Sequence, residues 1–386
     1  MKTQLTAMPR PGSLIAGLLV MCAWVSVADA STGDASILPG LKTVKVLGST
    51  VPGNGDINPY GMAQVTHTVG NLKSGHILIS NFNNSTNAQG TGTTIVEMAP
   101  DGTQSLFAAL DASSLPGPCP GGLGLTTALV VLNEGWVIVG SLPTSDGTSA
   151  TAQAGCLIVL DSMGKPVETI YGSLINGPWD MTAFEGPGQA KLFITNVLNG
   201  TVAANGQVVH EGTVVRVDLA IPTGQMPVLE SLAVIGSGFA ERTDPAALVI
   251  GPTGVALSAV CSAEDAGCAR ELVLYVADTL NNRITVITNP LARVRSDGMG
   301  MTFSAGGSLN APLGLISVAE NGHLLTVNGG DGFITEINAE GQQVAKVLID
   351  NTGSPPGAGA LFGLVFDPAH GVFFVDDASN TLNLLH

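Results

Sequence analysis

Leu274-Tyr275-Val276-Ala277-Asp278 is an apolar run closed by a short polar residue, after which a turn leads into a second apolar run. The same reading recurs at Ile77-Leu78-Ile79-Ser80-Asn81, Trp136-Val137-Ile138-Val139-Gly140-Ser141 and Leu192-Phe193-Ile194-Thr195-Asn196. It returns at Leu324-Leu325-Thr326-Val327-Asn328 and Phe373-Phe374-Val375-Asp376-Asp377. Six copies of one strand–turn–strand unit predict six equivalent structural blocks. Short strands parted by Gly and Pro turns make each block a small antiparallel sheet, and a ring of such sheets is an all-β, six-bladed β-propeller.

Outward from each copy the rest of a blade can be read. A turn precedes it: Asn58-Pro59-Tyr60-Gly61, Gly177-Pro178-Trp179-Asp180, Gly251-Pro252-Thr253-Gly254, Ala311-Pro312-Leu313-Gly314 and Leu361-Phe362-Gly363. Pro presets one turn dihedral and Gly accepts the unusual one. The strand after the turn is nearly all apolar, as an inner strand covered on both faces should be. Third strands follow, such as Ile284-Thr285-Val286-Ile287 and Ile334-Thr335-Glu336-Ile337. The last blade stops at His386 after its third strand, while Thr43-Val44-Lys45-Val46-Leu47 stands alone ahead of the first blade. Pairing that N-terminal strand with the last blade closes the ring and hides two edges. The extra length ahead of Asp278 is expected to be loop around 220–250.

The chain has 386 residues with 30 acidic against 14 basic side chains, a net charge of −16, so nucleic acid and anionic membranes are unfavourable partners. Lys2 and Arg10, the apolar stretch Ser13 to Val27, and Ala28-Asp29-Ala30 have the order of a secretory signal peptide over 1–30. The expectation is an exported protein, periplasmic or extracellular, with one propeller domain over 31–386, no membrane insertion and a monomeric state. Cys119, Cys156, Cys261 and Cys268 lie beyond that segment, and an even number in an oxidising compartment suggests two disulfides. Cys261 and Cys268 enclose a short loop and pair first; Cys119 with Cys156 follows by elimination.

Ala277-Asp278-Thr279-Leu280-Asn281-Asn282-Arg283-Ile284 resembles the NHL repeat, whose core is an apolar pair, Ala-Asp, a short turn, Asn-Arg and an apolar strand. The resemblance is partial at Asp376-Asp377-Ala378-Ser379-Asn380-Thr381-Leu382, which lacks the Arg, and faint elsewhere. It implies the propeller fold without choosing a function, since NHL-type propellers include enzymes, sensors and interaction modules.

Two groups of residues carry candidate chemistry. Asn81, Asn196, Asp278, Asn328 and Asp377, with Ser141, end the six repeats at one expected level. Facing the tunnel, their oxygens would suit a divalent cation such as Ca²⁺; tying their own hairpins, they would be turn residues. Tyr60, Trp179 and Phe362 start inner strands and would form an apolar floor for a small ligand, with Asp180 as polar anchor; the other reading is packing between blades. Lactonase-type six-bladed propellers, by comparison, hold a divalent metal with Glu, Asn and Asp near the starts of the inner strands. Here those places carry Tyr60, Trp179, Thr253, Leu313 and Phe362, with Asp180, Asn58 and Asn176 the oxygen donors nearby. His76 and His323 follow turn glycines and are expected to face solvent. No G-x-S-x-G, H-E-x-x-H or phosphate-loop motif occurs. The leading expectation is therefore a binding or interaction module, with a metal-dependent, lactonase-like hydrolase or lyase at the tunnel mouth as the alternative.

Overall fold

The computed structural model describes residues 35–261 and 270–386. Six antiparallel sheets stand in chain order, five of four strands and one of five. Each blade is built outward, from an innermost strand to an exposed outer one. In the first blade these are Ile57–Gln64, Ile77–Asn83, Thr94–Met98 and Gln104–Ala109. The second and third strands are the apolar runs quoted above. Val137–Ser141 and Cys156–Leu160, for example, are buried at every position because neighbouring blades cover both faces.

The ring closes as the two ends of the sequence require. Val44–Ser49 is the outermost strand of the last blade and pairs antiparallel with Thr381–Leu385, Val44 opposite Leu385 and Ser49 opposite Thr381. Upstream, the buried Glu336 carboxylate accepts the Ile37 and Leu38 backbone N–H groups at 2.9 Å, and Leu38 is fully buried.

Two expectations need correction. The extra length of the third blade is strand rather than loop: Val228–Asp244 runs on past the sheet and folds back as Leu248–Ile250. His323 does not face solvent. It is 1% exposed, with Nδ1 2.7 Å from Glu336. His76 lies 3.3 Å from Glu97 at the matching place in the first blade. In both blades a glutamate on the third strand draws the histidine inward. Cys119 and Cys156 are joined, with Cα atoms 5.2 Å apart. The expected Cys261–Cys268 bridge lies outside the described residues.

Candidate functional site

The six innermost strands surround the axis, and each breaks its ladder at the same point. Pairing skips two residues after Pro59, Pro178, Pro252, Pro312 and Leu361, and three after Leu125. Such bulges re-aim the side chains they contain. The backbone groups they free find side-chain partners: Gly61 N–H donates to Ser80 Oγ and Asp180 N–H to Thr195 Oγ1, both at 3.1 Å.

In the five two-residue bulges the first residue is Tyr60, Trp179, Thr253, Leu313 or Phe362. Three of them meet on the axis. Tyr60 stacks on Phe362 at 3.9 Å between ring centroids and meets Trp179 edge-on at 5.6 Å. Leu248 and Val249, from the returning hairpin of the third blade, pack into this same cluster. The tip of that hairpin reaches the first blade, where Gln89 Nε2 donates to the Pro245 and Ala246 carbonyls at 3.4 Å. The tunnel is thus plugged at the end where the inner strands begin.

The second bulge residue is Gly61, Gly254, Gly314 or Gly363 in four blades, and Asp180 in the third. Glycine has a steric cause here. A Cβ at Gly314 would stand 2.1 Å from the Phe362 carbonyl oxygen, and one at Gly363 would stand 2.4 Å from that of Tyr60. Asp180 therefore occupies a level at which the fourth, fifth and sixth blades leave no room for a Cβ. Its Oδ1 accepts the Met181 N–H at 2.8 Å, and its Oδ2 accepts the Val255 N–H of the fourth blade at 3.1 Å. Burial pushes its carboxyl up to about 7, against the lowering effect of those two amides.

Beyond the plug lies an axial cavity of about 370 Å³. Apolar residues such as Met62, Leu129, Met181, Val255, Leu315 and Phe366 line it, but more of its exposed wall is polar than apolar. Gln64, Thr182, Glu185 and Ser317 add polar groups towards the ends of the inner strands, where side chains become partly exposed and the cavity opens. Glu185 accepts the Asn133 N–H of the second blade at 2.9 Å, and burial raises its carboxyl against the lowering effect of that bond.

Tyr60, Trp179, Asp180 and Phe362 all line this cavity. The residues that end the repeats do not. Asn81, Ser141, Asn196, Asp278 and Asn328 lie on second strands, are fully buried and are absent from the cavity wall. Asp278 accepts from Asn281 Nδ2 at 2.9 Å and Arg283 Nε at 2.7 Å, so the residues resembling the NHL repeat form one hairpin clasp. Asn328 donates to Ser308 O at 2.8 Å and Asp331 Oδ1 at 3.0 Å, and Asn81 to Thr50 O at 3.2 Å. The register also corrects the sixth member. Asp376, opposite Leu361, matches Asn328 opposite Pro312, and Asp377 lies one residue beyond. Burial and its Asp376 neighbour push the Asp377 carboxyl up to about 7. Among the described residues no three His, Cys, Asp or Glu side chains come together in a way that could hold a metal ion, and no helix is long and apolar enough to cross a membrane.

Sequence reasoning singled out Asp180 but not the reason for its place, and it missed Glu185. The signal for Asp180 was present in the quoted turns, where Gly recurs and blade three alone substitutes an acid. Glu185 sits on an ordinary polar strand end, and nothing local marks it.

No family model and no curated protein matches this chain. Solved structures do. A calcium-binding protein, regucalcin, from Agrobacterium tumefaciens aligns over 88% of this chain and 93% of its own at 14% identity, TM-score 0.50. A luciferin-regenerating enzyme aligns over 88% and 94% at 10% identity, TM-score 0.50. The GH93 α-L-arabinofuranosidase of Fusarium graminearum, in complex with arabinobiose, aligns over 89% and 98% at 12% identity, TM-score 0.50. At such identities the likeness is one of fold, which the six-bladed ring shares with proteins of different chemistries.

Proposed function

We propose that this protein works on a small molecule held in the axial cavity over Asp180, as a hydrolase or lyase of the lactonase-like kind rather than as a protein-interaction module. Asp180 carries the reading. It is an acid at a level where four other blades carry glycine, on the floor of the axial cavity, and burial brings its carboxyl up to about 7. That is the condition a general acid–base group needs. The luciferin-regenerating enzyme and the α-L-arabinofuranosidase with its arabinobiose lend support as enzymes on a similar ring.

The metal of lactonase-type propellers does not fit here. A divalent ion at the bulge level would meet Tyr60, Trp179, Thr253, Leu313, Phe362 and glycines, with Asp180 as its one charged ligand. Hard cations take six to eight oxygens in well-formed sites. No step is therefore routed through a metal.

Asp180→Asn keeps the shape and removes the proton. It should lower turnover of a lactone or ester substrate by about 10²–10⁴-fold. It should also cost about 1–3 kcal/mol of stability, because the amide NH₂ would face one of the two donors. Undiminished turnover in Asp180→Asn would discard the acid–base role. A second reading, ligand binding without turnover, is favoured by the two amide bonds that hold the carboxylate as a fixed acceptor. Saturable binding with no conversion across lactones, esters and glycosides would select it. Thermal shift with Ca²⁺ against chelator tests the metal argument, and a chelator-reversible rise in Tm that Asp180→Asn abolishes would overturn it.

We also propose export with removal of residues 1–30. The Cys119–Cys156 bridge supports it, because such bonds persist in oxidising compartments. N-terminal sequencing of the secreted product should begin near Ser31, and a product retaining Met1 would refute it.

A further inference from the structure

The cavity has a charge sign, and the sign names a class of ligand. Its ionisable wall residues are Tyr60, Asp180 and Glu185, and neither lysine, arginine nor histidine contributes to it. Asp180 lies on the floor and Glu185 towards the open end of the same inner strand, Pro178–Gly186. Glu185 is five positions further along the strand, roughly 16 Å at the usual rise. Between them the wall is Met62, Met181, Val255 and Leu315, with the aromatic plug beneath.

An anion entering this space would meet two carboxylates and no compensating cation. A neutral molecule would leave the Asp180 charge desolvated whenever the group ionised. An ammonium group resolves both difficulties. Each Asp180 oxygen accepts one backbone N–H and keeps a lone pair, so the carboxylate can still take N⁺–H donors. Tyr60, Trp179 and Phe362 border the cavity at the same level, where their packed rings form an apolar floor beside the carboxylate. The apolar side chains between the two carboxylates, Met62, Met181, Val255 and Leu315, suit an alkyl or arylalkyl body in line with the strands. Acidic residues also outnumber basic ones across the whole chain, 30 to 14, which raises the local concentration of cations.

Resting on the proposal that the axial cavity is the site of action, we infer that its ligand is an organic ammonium ion: a small primary amine with an apolar chain, its nitrogen on Asp180 and its tail along the wall towards Glu185.

The test uses the full chain with [¹³C]methyl-methionine, because Met62 and Met181 line the cavity and report occupancy directly. The probes are n-butylammonium and phenethylammonium, their isosteric alcohols, and butyrate. The ammonium probes should shift the Met62 and Met181 methyl signals and bind at least about tenfold more tightly than the alcohols, a difference of about 1.4 kcal/mol. Asp180→Asn should erase that preference while weak binding of both classes persists. Glu185→Gln, which keeps an acceptor for the Asn133 N–H, should reduce the preference less. Equal affinity of alcohols and ammonium ions, with the methyl signals shifting, overturns the ammonium assignment and leaves the cavity as the site. Preference for butyrate does the same. If no probe moves the two methyl signals, both the assignment and the axial site fail. Should Asp180→Asn fail to fold, Glu185→Gln and the wild-type selectivity decide alone.

Discussion

A chain lacking residues 1–50 is expected to lose the folded propeller, by more than about 5 kcal/mol, and to aggregate. Val44–Ser49 supplies five register pairs to Thr381–Leu385, and without them that strand becomes an open edge. The losses reach beyond the ladder. The His386 carbonyl accepts the Lys42 and Thr43 N–H groups, and Thr50 N–H bonds Asn380 O. Thr50 O accepts from the buried Asn81 amide, and Glu336 is filled by the Ile37 and Leu38 N–H groups. Leu47 packs on the cluster that includes Tyr60, Trp179 and Phe362. The deletion thus strips backbone partners from the last blade, exposes a buried carboxylate and loosens the plug beneath the cavity. Adding a synthetic peptide of residues 35–50 in trans should restore monomeric protein by strand addition. A truncated protein with unchanged Tm would mean that the ring is not held by this strand. The effect should be all-or-none, because a propeller blade contacts its neighbours on both sides and an opened ring exposes two blade faces.

Both ends of that latch were legible in the sequence, for a physical reason. A missing fourth strand at one terminus and an orphan strand at the other are counting facts, and counting needs no side-chain geometry. The repeat level was legible on the same ground, since alternation and turn chemistry are local. What the residues at that level do was not. Asn81 and Asp278 bond their own hairpins or adjacent loops, and whether an amide faces the axis or its own turn depends on the bulge one strand inward. The bulge depends in turn on how closely six inner strands approach, which is a property of the closed ring. His323 failed as an exposed residue for a similar reason. Its partner Glu336 is thirteen residues along the chain and also serves the N-terminal segment. The long strand Val228–Asp244 was hidden because its last three residues pair with a three-residue return strand, Leu248–Ile250, too short to carry a periodic signal. Asp180 is the instructive middle case: its apolar neighbours and turn position were visible, but its meaning comes from the glycines that stand at its level in other blades.

Stability should fall as the solution is taken from about pH 5 to pH 9, by on the order of 4 kcal/mol. Burial raises three carboxyls well above their ordinary values: Asp180 and Asp377 to about 7, and Glu241 to about 8. An acid raised by folding holds its proton in the native state where the unfolded chain has released it. Its contribution is complete below the unfolded value near 4 and is lost as pH passes the folded value. The window therefore runs from about pH 4 to pH 7 for Asp180 and Asp377, and to pH 8 for Glu241. What faces each group leaves the sign unchanged. Asp180 has the Met181 and Val255 amides, which lower it less than burial raises it. Asp377 has the Asp376 carboxylate, a like charge. Glu241 has the Asn199 amide at 3.0 Å and the like charge of Glu211, and its Oε2 is buried with no partner among the described residues. An acid limb opposes the trend at low pH, because hydrogen bonds hold Asp101, Asp111 and Asp146 below the usual range. The optimum should fall between about pH 4 and pH 6. Glu241→Gln retains an oxygen for the Asn199 N–H and cannot ionise, so it should flatten the alkaline limb while leaving Tm at pH 5 within a few degrees. Denaturant midpoints across this range, with urea slopes unchanged, measure it. A Glu241→Gln curve parallel to wild type would show that Glu241 is charged in the folded ring at neutral pH, and a Tm that rises from pH 5 to pH 9 would show the same of all three carboxyls, so that the cavity floor carries a fixed anion in place of an exchangeable proton.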